Sequence, residues 1–403
     1  MDFTSARKSS TWASSGTMFL TGDPGGPPLA ISWPEAERLD DLARRFGVDT
    51  GLLGERAAAA SLGRLGRQSC GGKSRLLRAR DAWVALSIAR DEDLELLPAM
   101  VGVEALDVSS AWPRLIEVIE RHPADEIDER AELLGASFSI VGRATGPFTA
   151  TGRARPGARP PRSSLVADLT GLWAGPLCTH LLQLTGATVI KIEDKSRLDG
   201  ARRGTGRFYD VLNWGKLSVL LDFRTTLGRS QLLELLAAAD VIVTSSRARA
   251  FDQLGIMVED VLATSSDKVW TAITAYGWSS NRVGYGDDVA AGSGLVAWHP
   301  VDRQPRFAAD AIADPLCGLE AAALTLDCLA QGGRWFVDAS LAGAVAASVS
   351  PSGSAEPAET AEYQHGCWLF EGEPVEEPRA RVAPGPAAPP GADTARVLAR
   401  LAS

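Results

Sequence analysis

Several residue types that commonly mark a function are scarce here. The 403-residue chain has four histidines and five cysteines, Cys70, Cys178, Cys317, Cys328 and Cys367, with no CxxC spacing. The histidines form no metal-ligand pattern, so no metal is expected. An odd number of scattered cysteines reads as reduced, mostly buried thiols rather than a disulfide frame. No apolar run reaches the length of a membrane span, so no membrane partner is expected. The opening MDFTSARKSS lacks an apolar signal core, which makes the cytoplasm the default location. Basic residues number 41 against 50 acidic ones, a formal charge of −9. That balance argues against nucleic acid as a partner while leaving room for a local basic pocket. What is present is ordinary for a globular protein, 45% hydrophobic and 23% charged. The length suits two domains or one large one.

The most informative stretch is SLVADLTGLWAGPLCTHLLQLTGATVIKIE, residues 164–193. Leu165–Ala167 is a short apolar run suited to a buried strand. Ala174-Gly175-Pro176 breaks it. Leu177–Leu184 then has apolar residues at helical spacing, closed by Gly186 at a C′ position. The β-branched ATVIKI (187–192) reads as the next strand. Strand, turn, helix, strand is the opening of a doubly wound parallel sheet, whose ligands lie beyond the carboxyl ends of the strands.

Around it, the chain divides by composition. TGDPGGPP (21–28) lacks the GK[ST] ending of a phosphate loop and reads as a surface turn. Residues 35–66 read as helices, 69–90 as a glycine turn and strands, 91–102 as a helix, and 111–137 as two helices broken at His122-Pro123. ATGPFTATGRARPGARPPRSS (144–164) is a linker by composition. The domain reading is therefore a small α+β segment over 1–143, a linker over 144–163 and an α/β core over 164–350. A Pro/Ala-rich tail over 351–403 follows, its last helix returning to the core.

Beyond Glu193, Arg197, Arg202, Arg203 and Arg207 cluster past a strand end, where guanidinium groups suit phosphate. Val241–Ser245 reads as a buried strand ending at Ser246-Arg247. KVWTAITAY (268–276) is another, followed by Gly277, where a glycine permits close ligand approach. Asp314-Pro315 opens a long apolar helix, with aspartate as its N-cap and proline at N1.

Residues 164–349 resemble the class III CoA-transferases, through ADLTGLWAGPLCTHLLQLTGATVIKIE, RFYDVLNWGKLSVLLDFRTTLGRSQLLELLAAADVIVTSSR, TAITAYGW, AADAIADPLCGLEAA and GGRWFVDASLAGAVA. GGKSRLLRARDAWVALSIAR resembles the small domain of that family, which ordinarily follows the core, so the order looks permuted or left by a decayed fusion. The resemblance implies a doubly wound, Rossmann-like α/β fold, coenzyme A as acyl-CoA substrate, a small carboxylic acid as second substrate, and a homodimer. Asp314, in Ala-Asp-x-x-x-Gly318, matches the family's nucleophile, with Asp310 as a nearby competitor. A carboxylate at a helix N-terminus is expected to be held ionised.

By the same resemblance, Trp173, Ala174, Gly175 and Pro176 line the thioester site. Arg202, Lys216 and Arg247 contact CoA phosphates, and Tyr276 and Gly277 lie near the acyl group. Backbone amides near Gly175 and Gly318 are candidates for the oxyanions. Asp314 would pass CoA to the acid through an aspartyl-CoA thioester. Three departures keep alternatives open. Trp173 replaces a glutamine of some transferases, Ser245-Ser246 replaces Asn-Phe before Arg247, and Gly71-Gly72 is the best remnant of the family's glycine loop. A non-catalytic CoA-binding paralogue or dimer partner is one alternative. A 2-methylacyl-CoA racemase is another, disfavoured because Tyr285-Gly286-Asp287-Asp288 stands where its histidine would fall.

Overall fold

The computed structural model describes residues 11–31, 36–90, 93–102, 111–155, 164–348 and 356–401. Three short strands, β1 (Ser74–Arg78), β2 (Trp83–Ser87) and β3 (Ser137–Ile140), form an antiparallel sheet in that order. Strand alternation splits its residues between two faces. Leu77, Val84, Leu86 and Phe138 face helices α1 (Asp93–Val101), α2 (Ala111–Arg121) and α3 (Ala124–Leu134), burying Leu97, Leu115, Ile119 and Ile127. Leu76 and Ala85, on the opposite face, pack against Ala291, Val296 and Phe307.

The larger sheet has seven strands: β4 (Phe148–Arg153), β5 (Leu165–Leu169), β6 (Thr188–Asp194), β7 (Leu217–Leu221), β8 (Val241–Thr244), β9 (Lys268–Thr274) and β10 (Arg334–Ser340). From one edge they run β7-β6-β5-β8-β9-β10-β4, all parallel except β4, which pairs antiparallel with β10. The six parallel strands follow the doubly wound order 3-2-1-4-5-6. The order reverses between β5 and β8, and there the Gly171 N–H donates to Ser245 Oγ across the two strand tips at 3.1 Å.

Helices cover both faces, as parallel strands with apolar runs require. On one side α4 (Ala174–Leu184) and α8 (Ala313–Gln331) bury Leu177, Leu181, Leu316 and Leu319 against Val166, Val243 and Val337. On the other, α6 (Thr226–Ala238) places Leu232, Leu235 and Leu236 on Ile190, Val219 and Ile242. Between β6 and β7 lies α5 (Gly206–Asn213). After β9 comes α7 (Gly286–Gly292), and α9 (Leu341–Ser348) follows β10. The last helix, α10 (Thr394–Leu401), docks beside edge strand β7: Asp393 and Thr394 side chains accept the Ser218 and Leu220 amides at 2.8 and 3.0 Å, and Val397 is buried.

Two of the composition-based boundaries change. Residues 144–155 are not a linker, because β4 completes the large sheet and the Pro147 carbonyl accepts both the Ser340 amide and hydroxyl. Residues 156–163 of the expected linker lie outside the described residues. The first 143 residues are not one unit either. Trp12, Met18, Leu52 and Leu53 belong to the core of the large sheet, and only 74–140 has a core of its own. A Gly-, Pro- and Arg-rich composition marks a linker only when nothing pairs with its backbone, and the partner of β4 is nearly two hundred residues away in the chain.

Candidate functional site

Asp314 lies in the first turn of α8, near the tip of β5. It is not the cap: Ile312 takes that place, Asp314 is the second helical residue, and its N–H donates to the Ala311 carbonyl at 3.0 Å. The helix starts earlier than aspartate-proline chemistry predicts because Ala313 is already held by packing against α4. Gly318 permits that packing, since a Cβ there would lie 2.7 Å from the Ala174 carbonyl oxygen. The same contact places the Ala174 N–H on the Asp314 carboxylate. Gly175 is equally constrained, because a Cβ there would collide with the Thr170 side chain. Gly318 is therefore a close-packing residue, and neither glycine leaves open space at its Cα. Pro176 is buried in the first turn of α4, where its carbonyl accepts from Lys216.

Asp314 is partly buried among other charges. Asp287 and Asp288 open α7, and Asp310 precedes α8. Asp287 Oδ1 accepts the Ala311 N–H at 2.8 Å and its Oδ2 accepts Ser74 Oγ at 3.1 Å. Ser87 Oγ donates to Asp288 Oδ1 at 2.7 Å. These serines come from the face of the small sheet turned toward α7, so β1 and β2 hold two of the four aspartates. A guanidinium stands among them, that of Arg56 on the short helix Glu55–Ala60. Its Nε and Nη2 donate to Asp310 Oδ2 and Oδ1 at 2.9 and 2.5 Å, across 254 residues of chain. The guanidinium also lies 5.8 Å from the centroid of the Trp173 ring.

The cluster weakens the expected ionisation of Asp314. Burial pushes its carboxyl up to about 7, Asp287 and Asp288 add repulsion, and Arg56 and the Ala174 amide only partly offset them. Asp288 is likewise pushed up to about 7 by burial, against its Ser87 and Tyr285 hydrogen bonds. The helix dipole is worth less here than removal from water and two like charges.

The other expected contacts divide. Trp173 is buried edge-on against Phe208 at 5.3 Å between centroids, so the indole forms a wall beside Ala174. Arg247 stands at the tip of β8, donating through Nη1 to the Asn281 carbonyl at 2.6 Å. Arg249, Arg90 and Arg197 are near enough to depress its basicity, after burial itself. A basic rim therefore exists at the switch point. Lys216 and Arg202 are not part of it. Lys216 is enclosed beneath α4, with Nζ donating to Asp168, Thr179, the Pro176 carbonyl and Asn213 at 2.7–3.1 Å. Arg202 forks onto Glu193 at 2.9 and 2.5 Å and lies over the Tyr209 ring. Tyr276 bonds Ser139 through its hydroxyl at 2.6 Å. Gly277, at φ +110, is needed for a close approach, but of Pro147: a Cβ would meet that ring at 2.7 Å. Composition could place these groups near strand ends but could not show that the protein itself uses them.

Gly71, by contrast, borders the cluster, its would-be Cβ 3.4 Å from Arg56 Nη2. Arg56 itself carries no sequence signal: an arginine in an alanine-rich helix is read as a solvated charge. Gly286 is a second unsignalled residue. A Cβ there would collide with Asp314 Oδ2 and with the Ala311 carbonyl oxygen. Gly286→Ala is expected to cost about 2 kcal/mol, because the Asp314 side chain and the Ala311 backbone must move; the chemical-denaturation midpoint measures it.

The doubly wound sheet thus carries a basic rim at its switch point and a half-buried carboxylate at the head of α8. The chain belongs to CoA-transferase family III, whose model matches residues 164–366. It is similar to the succinyl-CoA:mesaconate CoA-transferase of Haloarcula hispanica, 33% identical over 122 residues, which are 28% of this chain and 31% of that one. It is also similar to a probable fatty acyl-CoA transferase of Mycobacterium tuberculosis, 32% identical over 155 residues, 36% and 39% of the two chains. The chain thus spans 31% and 39% of the length of these two curated relatives. Among solved structures, a CAIB/BAIF family protein from Brucella suis matches with a TM-score of 0.43 and 26% identity, over 47% of this chain and 55% of that one. No helix among the described residues is long and apolar enough to cross a membrane. No group of three His, Cys, Asp or Glu among them is arranged to hold a metal.

Proposed function

We propose that the protein is an acyl-CoA:carboxylate CoA-transferase that works through an aspartyl-CoA thioester on Asp314. The observation that carries this reading is the placement of Asp314. Asp314 is half-buried at the head of α8, where its carboxylate accepts the Ala174 N–H and faces the Arg56 guanidinium. A carboxylate so held is a nucleophile for a thioester carbonyl. Its oxygen attacks the acyl carbon and expels CoA thiolate, leaving a mixed anhydride. The thiolate then attacks the Asp314 carbonyl carbon and releases the donor acid. The acceptor carboxylate reverses the sequence: it attacks the aspartyl thioester, frees the thiolate again, and receives it as Asp314 leaves.

CoA phosphates are assigned to the rim of Arg247, Arg249 and Arg197, not to Lys216 or Arg202, whose N–H donors the protein itself uses. Trp173 and Ala174 would wall the thioester. The acyl donors to try first are those named in the relatives, succinyl-CoA above all, and a homodimer is the assembly the family resemblance implies.

The test is intact-mass spectrometry after mixing with a panel of acyl-CoA thioesters. A CoA adduct on Asp314 is expected. CoA binding with neither adduct nor exchange would instead identify a non-catalytic paralogue. Because only the carboxylate attacks, and burial pushes Asp314 up to about 7, loading should slow about tenfold per unit as pH falls below that value and level off above it. Rapid-quench loading rates between pH 5 and 9 measure this. A profile flat down to pH 5 would place the nucleophile elsewhere.

A further inference from the structure

We infer that Arg56 is the carboxylate-binding residue for the acceptor acid, holding that acid where the charge of Asp314 stood before CoA was loaded; this rests on the function proposed above. Arg56 lies outside the family-matched segment, so its placement must be argued from the fold. Two of its nitrogens are committed to Asp310, whose side chain is fully buried, while the guanidinium side chain remains 31% exposed. Nη1 has no hydrogen-bond partner among the described residues. The fork on Asp310 and the Trp173 ring fix the plane of the guanidinium, and Gly71 leaves room for it at Nη2 and Nη1. A partly exposed arginine with an open N–H pair and a fixed plane is a carboxylate receptor.

Electrostatics decides when it can bind one. In the resting protein Arg56 faces Asp310, Asp287 and Asp314, with Asp288 beyond. A further anion is repelled there. Conversion of Asp314 to a thioester removes one of those charges without touching the fork on Asp310. The incoming carboxylate then occupies a site short of one negative charge, beside the carbonyl carbon it must attack. The same arginine serves Asp314 before loading and the acceptor after it, so acceptor binding follows loading rather than competing with it.

The test separates the two half-reactions in the whole chain at pH 8.5. Wild type is loaded with succinyl-CoA, freed of excess thioester, and discharged with acetate, with succinate or with hydroxylamine, a neutral nucleophile. For Arg56→Gln, discharge by either carboxylate is expected to slow at least tenfold relative to discharge by hydroxylamine, with Arg56→Lys intermediate. An unchanged ratio with a normal adduct overturns the role of Arg56 alone. No adduct on wild type, with this or the remaining thioesters, overturns both readings. Removing Arg56 leaves Asp310 buried without its partner, so the double variant Arg56→Gln/Asp310→Asn is measured alongside, and the same lowered ratio is expected. General loss of structure would slow hydroxylamine discharge or raise it in parallel with the carboxylates, and would therefore count against the proposal.

Discussion

Asp314→Asn is expected to abolish the CoA adduct, to lower transfer by about 10³-fold or more, and to make the folded protein more stable at pH 8. The first two follow from removing the nucleophile. The third follows from linkage. The folded-state carboxyl is raised from its ordinary 3.8 to about 7. Its contribution to stability is fully present below about pH 4 and is lost as pH rises through about 7, because the folded state must then ionise a group it holds poorly. Asparagine keeps an acceptor for the Ala174 N–H and never ionises. The gain at pH 8 is on the order of 2 kcal/mol, fading to nothing near pH 4. Urea unfolding at the two pH values, beside the mass assay, measures it. A residue that costs stability where it is charged is retained for another reason, so a variant less stable at pH 8 would argue for a structural Asp314.

The second large effect concerns Lys216. Lys216→Met is expected to destabilise by about 3–5 kcal/mol, a large part of the 5–15 kcal/mol typical of a folded domain. The lysine and Asp168 are both buried, 2.9 Å apart. Their ionisation looks contradictory at first. Burial opposes both charges, yet Asp168 is held down at about 2 while Lys216 is also pulled down, to about 8. Asp168 has two lysines, Lys216 and Lys191, to offset its burial, whereas Lys216 has Lys191 against it. The net worth of the pair over an apolar replacement is therefore small, but losing one member strands the other. The methionine side chain would leave Asp168 with Lys191, Thr170 and Thr179, and leave the Pro176 carbonyl and Asn213 short of a donor. Adding Asp168→Asn is expected to recover part of the loss. Thermal unfolding of the single and double variants measures it. A lysine reserved for ligand phosphate would instead lose CoA affinity with little change in stability.

These two residues show what could be read in advance. Strand–turn–helix–strand over 164–193 was legible because periodicity and β-branching are local, and such repeats imply a parallel sheet with right-handed crossovers; the order of its strands came only with the structure. Asp314 was singled out through the family resemblance, by its four-residue spacing to Gly318, while the N-cap read from its aspartate-proline pair fell to Ile312. The ionisation of Asp314 was not legible, since a pKa near 7 comes from burial together with Asp287 and Asp288 on another helix. Lys216 and Arg202 illustrate the converse error. The chain places them near strand ends, but whether a cation faces ligand or protein depends on which acceptors arrive from elsewhere, here Asp168 and Glu193.

The sequence by itself determined the family core and the apolar faces of its helices, because each depends on residues within a turn or two of one another. Only the tertiary structure brought Arg56 to Asp310, Ser74 and Ser87 to Asp287 and Asp288, and β4 to β10. Those contacts join segments far apart in the chain, and their energies come from burying charge and pairing backbone between partners that no local pattern specifies.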